Sequence, residues 1–197
     1  MAKRDTTIDL LHEVLVKLAV VVGGIGKDQL HDPTPCSEFD VEDLRTHVLG
    51  WLTTFAAGFA DVHGRAPSEQ LSDYVVSSDP GGEVTAAAQL MDQALRSGAA
   101  ERPLDLGEHS MPGELALGMI LWEYQVHGWD LAKATRQSWD PPRAASAESL
   151  AFAPGMLTED YQGEGKAFAK PVRVLDDSTA LDRLLGLSGR DPSWSRP

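Results

Sequence analysis

Apolar residues recur at helical spacing in four long stretches. Ile8, Leu11, Leu15, Leu18 and Val22 predict a helix over residues 6–22, ended by Gly23 and Gly24. Val41, Leu44, Val48, Trp51, Leu52, Phe55 and Phe59 mark a second over residues 41–60. Asp40 is its N-cap and Asp43 its third helical residue. Val84, Ala87, Ala88, Met91 and Leu95 form the inner stripe of a third helix that stops at Gly98. The fourth runs from Gly113 to Gln137, with Pro112 placed to open it. Between them, residues 62–80 and 99–111 read as irregular connections. After Pro141 and Pro142 the pattern predicts short helices over 144–153 and 178–187, with a short strand over 170–175. The expected fold is all-α, a four-helix bundle over residues 1–160. Residues 161–197 form a short irregular tail packed upon it.

The fourth helix breaks its own pattern. At 100° per residue, Glu123 and His127 lie ~40° apart around the axis, and Asp130 lies ~20° to the other side of Glu123. Ala116, Met119, Ile120 and Ala134 share that face, whereas Glu114, Gly118, Gln125 and Arg136 are expected to point outward. Three ionisable groups thus project from a buried stripe, and a buried carboxylate without a partner costs several kcal/mol. A metal ion held by Glu123 and His127 satisfies that demand. So does an internal hydrogen-bond network. On the second helix His47 stands at the edge of the core, flanked along the axis by Gly50, Thr54 and Gly58, small residues that leave room for an approaching group.

His47 with Glu123 and His127 makes two imidazoles and one carboxylate. That set leaves a coordination position open, as catalytic zinc sites do, and it serves iron as well. Asp130 has three readings: it orients a histidine from behind, acts as acid or base, or pairs with a cation such as Arg45.

Composition removes several alternatives. A formal charge of −13 opposes nucleic-acid and anionic-membrane binding. No apolar run has the length of a membrane span, and the amino terminus does not read as a signal peptide. The single cysteine, Cys36, forms no internal disulfide and fits a reducing, cytoplasmic setting. It has no paired base in sequence and reads as a small buried thiol. GGIGKD lacks the spacing of a phosphate loop, no G-x-S-x-G elbow occurs, and His12-Glu13 lacks the second histidine of H-E-x-x-H.

The stretches TPCSEFDVEDLRTHVLGW and WEYQVHGWDLAKATRQ, with the tail LLGLSGRDPSW, resemble the DinB-like (YfiT-like) metalloenzyme superfamily. More closely they resemble its actinobacterial branch, grouped with mycothiol-dependent maleylpyruvate isomerase. The resemblance implies metal ligands at His47, Glu123 and His127, with glutamate replacing a third histidine. It also implies a divalent metal (zinc first, nickel or iron otherwise) and mycothiol as thiol cosubstrate. The expected reaction is thiol transfer or isomerisation of a small electrophile, with Asp130 as the catalytic acid or base and the protein a monomer or homodimer. Residues 157–197 fall short of that enzyme's separate carboxy-terminal domain, which leaves the substrate open. The alternative is a non-catalytic metal-binding or stress-response bundle.

Overall fold

The computed structural model describes residues 2–67, 73–107, 109–158, 161–163 and 168–196. The four long helices are α1 (Ala2–Gly23), α2 (Val41–Ala60), α3 (Pro80–Arg96) and α4 (Gly113–Thr135). They are followed by α5 (Arg143–Phe152) and α6 (Ala180–Leu187). The fold is mostly helical, as the periodicity predicts.

Local chemistry explains the helix ends. Asp40 caps α2 by accepting a hydrogen bond from the Asp43 amide at 2.9 Å. Asp79 does the same for α3 through the Gly82 amide at 2.9 Å, with Pro80 in the first turn. Thr179 caps α6 through the Asp182 amide at 3.1 Å. Arg136 adopts the left-handed conformation, φ 59°, and ends α4 two residues before the expected Gln137.

The connection after α3 is more ordered than the pattern predicts. It contains a two-stranded antiparallel ladder of β1 (Leu104–Asp105) and β2 (Ser110–Met111). The strand expected over 170–175 does not form among the described residues. The Val172 amide instead bonds to the Gly186 carbonyl at 2.8 Å, at the end of α6. A Cβ on Gly186 would lie 2.3 Å from Val174 Cγ2, so this glycine admits the close crossing.

Two apolar clusters meet on α4. The main core joins α1, α2, α3 and one side of α4, with Val14, Leu18, Leu44, Leu52, Val84 and Ile120 all essentially inaccessible. The second gathers Trp122, Val126 and Trp129 from the other side of α4 against Ala153, Leu184 and Leu185. The amphipathic reading leaves one side of α4 to solvent, but α5 and α6 cover it. Gln125, expected to face outward, is therefore fully buried. No helix among the described residues is long and apolar enough to cross a membrane.

Candidate functional site

Three consecutive residues of α4 fix the site. Trp122 donates from Nε1 to Ser188 Oγ at 2.9 Å and ties α4 to the carboxy-terminal segment. Tyr124 donates from its hydroxyl to the Val48 carbonyl at 3.2 Å and ties α4 to α2, one residue beyond His47. Glu123 lies between these two anchors. One turn on, His127 meets His47 edge to face, with ring centroids 5.4 Å apart. Phe39, from the loop leading into α2, also packs against His47, with ring centroids 5.2 Å apart.

The electrostatics follow from this enclosure. Burial, and then the neighbouring His127, push the His47 imidazole down to about 4, so it is neutral at physiological pH. Burial raises the Glu123 carboxyl above the ordinary range, with His127 pulling it partly back. Part of the Glu123 side chain remains accessible. The surrounding protein nevertheless desolvates its carboxyl group. No described residue hydrogen-bonds that carboxylate, and no ion pair or hydrogen bond joins it to His47. Among the described residues, no three or more His, Cys, Asp or Glu side chains stand as a group that could hold a metal ion.

Asp130 faces a different set of partners. Its carboxylate is fully buried, 3.3 Å from His127 Nδ1 through Oδ2. Arg190 reaches the same Oδ2 from Nη2 at 3.1 Å and from Nε at 3.3 Å. The sequence pattern does not single out Arg190, and the cation it suggests, Arg45, is not the partner. The one available signal is the arginine inside LLGLSGRDPSW, in a tail otherwise rich in turns. Cys36 is half-buried, and burial raises its thiol while nearby Arg190 acts in the opposite direction. Arg196 pairs with Asp32, drawing the tail toward the loop that carries Cys36.

Of the space expected beside Gly50, Thr54 and Gly58, the part at Gly58 is taken up. A Cβ on Gly58 would meet Leu104 Cδ1 at 2.7 Å and Ala66 Cβ at 3.2 Å. Thr54 turns its hydroxyl back onto the Gly50 carbonyl at 2.8 Å. Gly58 thus lets the β1 segment pack against α2.

A helical bundle whose second and fourth helices bring two histidines together beside a desolvated glutamate defines a class of protein built around a polar centre between helices. The comparison with known families agrees with that class: residues 11–132 match the mycothiol maleylpyruvate isomerase N-terminal domain, and the chain belongs to this family. Two similar proteins are "Uncharacterized protein Rv0738" of Mycobacterium tuberculosis strain H37Rv and "Uncharacterized protein MT0763" of strain CDC 1551. Each is 30% identical over 175 residues, 87% of this chain and 91% of the relative. No solved structure matches the chain significantly.

Proposed function

We propose that this protein is a metal-dependent enzyme that uses a low-molecular-weight thiol, mycothiol by family kinship, to act on a small electrophile. The reaction is thiol transfer or isomerisation. His47, Glu123 and His127 are the proposed ligands. The observation that carries the reading is Glu123, a desolvated carboxylate with no hydrogen-bond donor among the described residues, near His127, which in turn meets His47. A divalent cation answers that deficit, and two imidazoles with one carboxylate are a donor set suited to zinc.

His47, Glu123 and His127 would hold a divalent metal whose chemistry, when bound, would be to lower the pKa of a thiol at neutral pH. The chain's own residues do the rest. His47 stays neutral, so its lone pair is available without prior loss of a proton. Asp130 turns His127 by its Nδ1 edge. It has no free face toward solvent, which favours orientation over direct proton transfer among the roles the sequence leaves open. Phe39 packs its ring against the His47 imidazole and helps to hold it in place.

The test is metal analysis of protein purified without chelator, followed by an electrophile screen with and without mycothiol. Expected are stoichiometric divalent metal and turnover that needs both metal and thiol. Metal-replete protein that neither binds mycothiol nor consumes any electrophile with it would replace this reading with a non-catalytic metal-binding bundle.

A further inference from the structure

The geometry points to Arg190 as a positioning residue that sets which nitrogen of His127 is free, acting through Asp130. This inference rests on the proposed metal site for its consequence, though not for its geometry. Nearly inaccessible, Arg190 has its guanidinium fully engaged. Nη2 and Nε hold Asp130 Oδ2 at 3.1 and 3.3 Å, Nε lies 3.4 Å from Oδ1, and Nη1 donates to the Ser188 carbonyl at 3.0 Å.

The backbone delivers it there by a specific turn. Gly189 has φ +80°, in the left-handed region, and a Cβ on it would lie 2.8 Å from the Ala169 carbonyl oxygen. The Arg190 amide then bonds to the Leu185 carbonyl at 2.9 Å. Ser188 is fixed in turn by Trp122 Nε1. Arg190 is thus locked to α6 by its backbone and to α4 by its side chain.

Chemistry makes the arrangement directional. A carboxylate paired with a guanidinium accepts hydrogen bonds and donates none. Its contact with His127 Nδ1 at 3.3 Å therefore requires the proton on Nδ1, and in the neutral ring this leaves the Nε2 lone pair free. A histidine that ligates metal through Nε2 commonly has its other ring N–H held by a carboxylate in this way. Here the carboxylate is itself held by an arginine 60 residues further along the chain. The carboxy-terminal segment is then part of the site and not a cover over it.

The experiment has two independent readouts on the full chain. Long-range 1H–15N correlation spectra of the metal-free protein report the His127 tautomer. Competition titration with zinc reports affinity. Wild type is expected to show the Nδ1–H tautomer. Arg190→Met, which keeps volume and removes charge, is expected to give a mixture of tautomers and zinc binding weaker by about 10- to 100-fold. Arg190→Lys should recover part of both.

An Nε2–H tautomer in wild type overturns the inference whether or not any variant folds. So does a folded Arg190→Met protein with unchanged tautomer and affinity. If the wild-type tautomer is as expected but zinc does not bind, the metal reading fails while the positioning role of Arg190 stands.

Discussion

Two polar clusters are built on α4 two residues apart, and only one is complete. The Gln125 side-chain amide donates to the Leu121 carbonyl at 3.0 Å, the Ala145 carbonyl at 3.2 Å and Ser149 Oγ at 2.6 Å. Its carbonyl accepts from Ser146 Oγ at 2.9 Å. The two amide hydrogens are shared among three acceptors, the carbonyl is also met, and the group is fully buried against α5. Glu123, on the opposite side of the helix, has a charge and no donor among the described residues. The surrounding protein desolvates its carboxyl group while part of the residue stays accessible, so a partner can reach it from outside the fold. The complete cluster reads as a fastener between α4 and α5, and the incomplete one as a place for a ligand.

The largest expected effect comes from making the complete cluster resemble the other. Gln125→Glu replaces an amide donor with a carboxylate oxygen facing two carbonyls and a hydroxyl. About 3 kcal/mol or more of stability should be lost at pH 7, read by urea denaturation. A loss below 1 kcal/mol would mean the amide is not needed where it lies. The second prediction fills the incomplete cluster. Zinc at a hundredfold excess over its Kd should stabilise the wild type by ~2.7 kcal/mol. His47→Ala should remove that increment and leave a folded bundle, whereas Ser149→Ala should keep it. An equal zinc-induced rise in Tm in the His47→Ala protein would place the metal elsewhere.

The contrast was partly legible in the sequence, for reasons of range. Glu123, His127 and Asp130 share a helix, so their common face follows from the 3.6-residue period alone. Asp40 and Asp43 declare the start of α2 by a three-residue pattern. His47 is singled out by its place at the edge of an apolar stripe beside small residues, although its contact with His127 spans two helices. The rest depended on tertiary neighbours. Gln125 reads as outward because a single-helix period carries no information about a second layer, here α5. Arg190 and Asp130 are distant in sequence, and no local pattern pairs them. Lys170 to Leu175 has the residue types of a strand, but its partner is the end of a helix.

The third prediction concerns pH in the metal-free protein. Burial raises the Glu123 carboxyl in the folded state. The folded chain therefore holds this proton at pH values where the unfolded chain has released it, and stability falls as pH rises from about 4.5 through the folded value. His47 acts in the opposite sense. Its folded value of about 4 lies below the unfolded one of about 6.5, so stability falls as pH drops through that window. Comparing wild type with Glu123→Gln leaves His47 common to both. Without metal, Glu123→Gln should be the more stable protein at pH 7 by about 1 kcal/mol, with the margin shrinking toward pH 4.5. Saturating zinc should reverse the order, because only the wild type keeps all three ligands. Denaturation curves that fail to cross between the two conditions would count against Glu123 as a ligand.

The smallest effect tests whether the two clusters are independent. Ser146→Ala removes the single donor to the Gln125 carbonyl and leaves the amide's three bonds in place. The expected cost is about 0.5–1.5 kcal/mol, the range for one net hydrogen bond. Zinc affinity should not change, because Ser146 and Gln125 meet between α5 and α4 whereas His47 and His127 meet across α2 and α4. The two mutational effects in a Ser146→Ala, Glu123→Gln double variant should then add within about 0.5 kcal/mol. A shift in zinc affinity on Ser146→Ala, or a coupling well above that margin, would show that α5 transmits strain through α4 into the site. Completeness on one side of the helix would then be part of what keeps the other side open.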